Sequence, residues 1–295
     1  MTEGIVNVLK PPGMTSSNVV SDVRRLFDLK RVGHTGTLDP GAAGVLPICL
    51  GRATRLFDYL VDKEKEYFAE ISFGSRTDTQ DSYGRVVDTS GREVDEAELR
   101  AVLPSFLGEQ TQIAPKYSAL KSGGKAMYQL ARSGQEVPER TRSVTIHALE
   151  FIAKTKENRF LLRIGCSRGT YVRTLCEDIG KQLSVCAHMS FLLRTASGPF
   201  RVEKAYSIAE LAAQKEQGTL QNSVVPIPEA LSFLQSVTID DDKKLFRLQN
   251  GCAEPVPGCN ALSENQSCLV FANGELIGLG IWTLAGLKLK IHLGA

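Results

Sequence analysis

The sequence predicts an α+β protein, with a mixed sheet and helices over residues 1–232 and a smaller β-rich unit over residues 237–295. Three observations lead there. At 295 residues the chain exceeds the usual single-domain size, so a larger domain with an appendage is expected. Strand-like alternation and helix-capping signals occur side by side through the first part of the chain. After Val224-Val225-Pro226-Ile227-Pro228 and the acid run Asp240-Asp241-Asp242, the pattern changes to short strands with Asn273-Gly274 as a hairpin signal.

Taken in order, Gly4-Ile5-Val6-Asn7-Val8-Leu9 alternates as a strand that Lys10-Pro11-Pro12-Gly13 must end. Ser16 or Ser17 caps a helix over 17–28, whose Val19, Val20, Val23, Leu26 and Phe27 keep a helical period. Residues 33–44 hold four glycines and one proline and read as a loop set against an apolar strand at 45–50. Further strands are expected at 66–73, 84–89, 143–152 and 159–166. Helices are expected at 95–107 (Asp95-x-x-Glu98), 170–183 and 207–217 (Ser207-x-x-Glu210, stopped by Gly218). Between strands, residues 115–142 are rich in Lys, Arg, Gly and Ser with one short helical stretch at 126–132, an excursion here termed the basic arm.

Composition narrows the function classes. With 42 % hydrophobic and 23 % charged residues the chain is an ordinary globular protein. The seven cysteines form no C-x-x-C pair and read as reduced thiols, and the four histidines share no ligand spacing, so no metal site is expected. The N-terminus lacks a signal-peptide pattern and no apolar run approaches the ~20 residues of a membrane span, so a cytoplasmic protein without a membrane partner is expected. Net charge is +2, yet residues 111–175 carry 12 Lys and Arg against 4 Asp and Glu. That block fits a nucleic-acid footprint, and on charge alone it fits a solvated basic face equally well. Gly123-Gly124-Lys125 is no P-loop, because Ala119 and Ala126 stand where a glycine and a hydroxyl residue are needed.

Two stretches can carry chemistry. In Gly33-His34-Thr35-Gly36-Thr37-Leu38-Asp39-Pro40 the proline disfavours helix at Asp39, and glycines allow close backbone approach to a ligand. In Cys166-Ser167-Arg168-Gly169-Thr170-Tyr171-Val172-Arg173 a glycine separates a strand from a helix with Tyr171 and Arg173 in its first turn. Alone, the first is also an ordinary turn and the second a surface cation.

Together with Lys10-Pro11-Pro12-Gly13-Met14-Thr15-Ser16, Lys65-Glu66-Tyr67, Thr77-Asp78-Thr79-Gln80-Asp81 and Pro115-Lys116-Tyr117-Ser118-Ala119-Leu120-Lys121, they make six blocks in one order. In these the chain resembles the bacterial, TruB-type family of tRNA uridine-55 pseudouridine synthases. The resemblance implies a largely antiparallel sheet of pseudouridine synthase type, a cofactor-free isomerase, and a tRNA T-arm substrate. It makes Asp39 the nucleophile or base, Arg173 its orienting partner and Tyr67 the ring stacked on the extruded uracil. An Asp with an ordinary pKa near ~3.9 is already an anion at neutral pH. The resemblance also places Lys10, Pro11, His34, Gly36, Tyr171 and Leu192 in the substrate pocket. Lys116, Lys121, Lys125, Arg132, Arg140, Arg142 and Arg168 become candidate RNA contacts.

The C-terminal unit is similar, more weakly, to the PUA-like RNA-binding barrel attached to such synthases, with Lys243, Lys244, Arg247, Lys288 and Lys290 as its cations. The basic arm favours an enzyme that needs no guide RNA over an RNA-guided synthase subunit, and Asp39 with Arg173 argues against a purely RNA-folding protein; a monomer is expected. Gly41 and Ala43 depart from the larger or hydroxyl residues common in the family, which predicts a looser backbone after Asp39.

Overall fold

Period-two burial organises the main sheet. In the Gly4–Lys10 and Ala43–Leu50 strands, Val6, Val8, Leu46 and Ile48 face one apolar core, while Ile5, Val45 and Cys49 face a second. Cover on both faces explains why residues 45–50 read as an unbroken apolar run. The computed structural model describes residues 2–118, 120–122, 124–256 and 263–294. The side chains of Lys121, Ser122, Lys125, Ala126, Tyr128 and Arg132 lie outside that description.

Among the described residues the main sheet has ten strands. Its path runs from Val224–Val225 through Gly4–Lys10, Ala43–Leu50, Ala187–Ser197, Lys65–Phe73, Arg159–Cys166 and Thr141–Lys156 to Gly108–Ile113. Neighbours are antiparallel except at the centre, where Leu193 and Arg194 pair in parallel with Ala43 and Gly44. That junction needs a glycine: a Cβ on Gly44, at φ +114°, would lie 2.2 Å from the carbonyl oxygen of Arg194. Tyr67, Arg194 and Gly44 therefore form one row across three strands. The helices Ser16–Phe27, Glu96–Val102 and Val172–Gln182 cover one face through Val19, Val23, Leu99, Leu175 and Ile179.

Local expectations are corrected in four places. Thr15, not Ser16 or Ser17, caps the first helix, and Ser16 instead turns inward to exchange hydrogen bonds with the Leu38 backbone. The 95–107 helix is α-helical only to Val102 and continues as a 3-10 turn, because Pro104 cannot extend the α-helical ladder. Tyr171 precedes the Val172–Gln182 helix rather than lying within it, its backbone held by the Gln112 amide. The stretch after Asp240 is not made of short strands alone, since Asp241 caps a helix Asp242–Gln249 inside the C-terminal unit.

The C-terminal unit begins at the strand Gln235–Ile239, which lies parallel to Ser267–Ala272 and is followed across the sheet by Glu275–Thr283 and Gly286–His292. Asn273 and Gly274 make the expected hairpin turn with φ of 51° and 78°. No described helix is long and apolar enough to cross a membrane.

Candidate active site

The loop bearing Asp39 is held by the segment that leads into the first helix and by that helix's first residue. Ser16 holds Leu38, Gly13 N donates to the Pro40 carbonyl at 2.8 Å, and the Lys10 ammonium donates to the same carbonyl at 3.2 Å. Ala42 N closes the turn onto the Asp39 carbonyl at 3.0 Å. Pinned in this way, the Asp39 side chain is a third open, 35 %, and faces two cavities at once.

Arg173 meets Asp39 from the helix opposite. Its Nε lies 2.9 Å from Oδ2 without pointing along that line, and its Nη2 donates to Oδ1 at 3.3 Å. The guanidinium also donates to the carbonyls of Thr79 and Tyr117 and stands 3.7 Å from Asp81. A cation in the first turn of a helix opposes the helix dipole, and here two carboxylates and two carbonyls offset that cost. Enclosure raises the Asp39 pKa above its ordinary value; Arg173 opposes this, Asp81 adds to it, and Lys10 opposes it more weakly.

The smaller cavity, about 300 Å³, lies on one side of Asp39. Tyr67 forms its floor from the sheet, with Lys65 and Arg194 beside it and Leu192, Gly36, Tyr171 and Arg173 around it. Burial lifts the Tyr67 hydroxyl to about 12, so the phenol stays neutral and can offer a ring face or a hydrogen bond but not a base. Lining residues include one carboxylate, Asp39, against the cations Lys65, Arg142, Arg168, Arg173 and Arg194. Arg142 donates to the Gly169 carbonyl at 2.7 Å and Arg168 stands 3.6 Å from Asp62.

The larger cavity, about 900 Å³, lies on the other side and is lined by His34, Ser17, Tyr83 and Arg85 among others. Burial and the nearby Arg194 lower the His34 pKa, and its Nδ1 accepts from Gly36 N at 3.2 Å, so the ring is neutral. Thr37, Leu38, Asp39, Ser118 and Arg173 border both cavities.

Not every residue expected in the pocket lines it. Lys10 is buried behind the loop with its pKa lowered to about 8 by burial, and Pro11 is exposed; neither borders either cavity. Lys116 and Arg140 are exposed and away from both, and the side chains of Lys121, Lys125 and Arg132 lie outside the described residues.

Three residues without an assigned role in the sequence reading stand at the site: Lys65, Asp81 and Arg194. Lys65 is buried, its ammonium bonded to the carbonyls of Val61 and Lys63, with its pKa lowered to about 8 by burial. Its spacing from Tyr67 was a usable signal, because residues two apart on a strand share a face. Arg194 is 2 % exposed and donates to the carbonyls of Val45 and Gly36, bracing the start and end of the Asp39 loop. An arginine at the end of the apolar run Phe191-Leu192-Leu193 was its signal.

Two family models match the chain in succession. TruB family pseudouridylate synthase (N terminal domain) covers residues 24–172, and tRNA pseudouridylate synthase B C-terminal domain covers residues 173–232. The tRNA pseudouridine synthase B of Pelotomaculum thermopropionicum is 48 % identical over 80 % of this chain and 76 % of its own. That of Bacillus subtilis is 43 % identical over 87 % of this chain and 85 % of its own. Among solved structures, a chain of an H/ACA RNP bound to a substrate RNA containing 2'-deoxyuridine superposes with a TM-score of 0.76 at 26 % identity, covering 99 % of this chain and 85 % of that one.

Proposed function

The chain belongs to the TruB family of tRNA pseudouridine synthases, which are isomerases, and we propose that it converts uridine-55 in the T-loop of tRNA to pseudouridine. The observation that carries this reading is the place of Asp39, ion-paired to Arg173 at 2.9 Å where a cavity of about 300 Å³, ample for a uracil, adjoins a second one. The extruded uracil occupies the smaller cavity with Tyr67 against it, in reach of Gly36, Tyr171 and Leu192.

Ionised Asp39 then acts at the ribose, either as nucleophile at C1′ or as base toward the C2′ proton. The N1–C1′ bond breaks with its electron pair going to the uracil, the base turns, and C5 joins C1′ as the Asp39–C1′ bond breaks and frees the carboxylate or, on the other route, as the proton taken by Asp39 returns to C2′. The C5 proton leaves and N1 ends protonated. Atoms and electrons balance within the nucleotide, so the reading calls for no cofactor. While detached, the uracil is an anion, and the cationic surplus around the cavity offsets that charge where water is excluded.

In this reading the basic arm closes over the T-arm through Lys116, Lys121, Lys125, Arg132 and Arg140, while Arg142 and Arg168 act at the pocket mouth. Lys10 supports the Asp39 loop, Pro11 continues that support, and neutral His34 fills space beside the extruded base. The C-terminal unit serves as a PUA-like RNA-binding domain, and the protein works as a cytoplasmic monomer without guide RNA.

An unmodified T-arm stem-loop incubated with the protein in excess EDTA tests the whole reading. Tritium release from uracil C5 and chemical mapping should place one pseudouridine at position 55; a metal requirement for the chemical step, or modification elsewhere, overturns it. The H/ACA neighbour favours one alternative, a guide-dependent subunit, and that alternative gains if bare stem-loop is inert until a guide RNA is added.

A further inference from the structure

Tyr83 lines the larger cavity with 71 % of its surface exposed, and its ring lies against Gly41. A Cβ built on Gly41 would fall 2.0 Å from Tyr83 Cε2, so the ring occupies the space a side chain would take two residues after Asp39. The backbone expected to be loose there is covered by this ring. Its turn is fixed as well: Tyr83 N donates to Asp81 Oδ1 at 3.0 Å, and Ser82 N donates to the Met189 carbonyl at 3.1 Å. Gly84 has no room for a side chain, since a Cβ would lie 2.3 Å from Thr79 Oγ1 and 2.5 Å from Asp78 Oδ1. An aromatic ring held in place but left uncovered has the form of a stacking platform.

The surrounding charges select what such a platform receives. The larger cavity is lined by the carboxylates Asp39, Asp78 and Asp81 and by the cations Arg85 and Arg173, the latter 2.9 Å from Asp39 and 3.7 Å from Asp81. Three carboxylates against two cations leave that wall unfavourable to a phosphate away from Arg85, whereas a flat neutral base meets no such charge penalty. The shared border at Thr37, Leu38, Asp39 and Ser118 puts this cavity next to the one proposed for the target uracil. A nucleotide adjoining the target therefore reaches it while its phosphate stays near Arg85.

We propose that Tyr83 is a positioning residue that stacks on a nucleobase flanking the target uridine, an inference that rests on the RNA-modifying function proposed above. Stacking on an aromatic side chain is typically worth ~1–3 kcal/mol per base, which converts to about 5- to 150-fold in affinity.

Four proteins test this: wild type, Tyr83→Phe, Tyr83→Ala and the double variant Gly41→Leu with Tyr83→Ala. Each is measured for stem-loop affinity and for KM against kcat, with 2-aminopurine placed in turn on either side of the target. Tyr83→Ala should lose affinity within that range, the loss appearing in KM, and should abolish the 2-aminopurine quenching at one flanking position. Tyr83→Phe should keep both. The double variant refills the space over Gly41 without restoring an aromatic face, so it should bind as weakly as Tyr83→Ala. Recovery of wild-type affinity in the double variant shows that Tyr83 only fills space and overturns the proposal, as does unchanged affinity in Tyr83→Ala. If wild type neither binds nor converts the stem-loop, the functional reading falls and this inference falls with it.

Discussion

At Asp39 enclosure and Asp81 raise the carboxyl pKa while Arg173 and Lys10 lower it, and the balance lies above the ordinary carboxylate value. In the proposed reaction Asp39 acts in its ionised form, so kcat/KM on the stem-loop should fall as pH drops through that raised value, earlier than for an ordinary Asp. The neighbours make the claim signed. Asp81→Asn removes a raising influence and should move the acid limb to lower pH, while Lys10→Met removes a lowering one and should move it higher. Shifts in the same direction would show that the limb belongs to another group. Asp39→Asn should abolish tritium release while leaving tRNA affinity within about tenfold, ~1.4 kcal/mol, since the amide is nearly isosteric. Retained turnover would make Asp39 a turn residue, a role Asn fills as well. Only the ordered set of six blocks, and not any one motif by itself, singled out Asp39, Arg173 and Tyr67, and the three line one cavity. Arg194 took its place through the cross-strand row with Tyr67 and Gly44, and Asp81 through Arg173, relations that exist only once distant segments are paired.

Elements whose signals are local were legible: the capping boxes at Asp95 and Ser207 are both formed, and the Asn273-Gly274 turn is made. The Asp242–Gln249 helix was not, because an acid run serves equally as a linker or as an N-cap followed by a first turn, and only tertiary packing of Leu245 and Leu248 decides. The basic arm stands between these cases. Its chain leaves the sheet after Ile113 and returns at Thr141, carrying a Lys121–Ser122/Lys125–Ala126 ribbon and a Met127–Arg132 helix. Neutralising Lys116, Lys121 and Lys125 together should weaken RNA binding and flatten log K against log salt by up to ~0.7–0.9 for each phosphate no longer paired with a cation. An unchanged slope in filter binding would remove the arm from the phosphate backbone.

At the scale of the whole molecule, the expected small appendage shares a core with the larger domain. One face of the C-terminal sheet presents Leu269 and Leu279, which with Leu293 join the same apolar cluster as Ile5, Val45, Cys49, Leu56 and Leu60. The other face packs under the Asp242–Gln249 helix in a cluster of its own, with Trp282 against it. Polar ties reinforce the joint, Arg52 donating to the Gly294 carbonyl at 2.6 Å and Arg55 to that of His292 at 2.8 Å. Apolar burial across a joint couples the stabilities of both sides, because opening it exposes the same residues to water as unfolding does. The sequence showed two units through their different strand patterns, but a shared cluster is assembled from residues in both and no local pattern announces it. Urea unfolding should therefore give coincident transitions by fluorescence of the single tryptophan, Trp282, and by far-UV circular dichroism, which reports mainly the large domain. Leu279→Ala should cost ~2–5 kcal/mol and lower both midpoints together. If the two units were merely tethered, the tryptophan signal alone would shift and the dichroism midpoint would stay, leaving the C-terminal unit free to move independently when RNA binds.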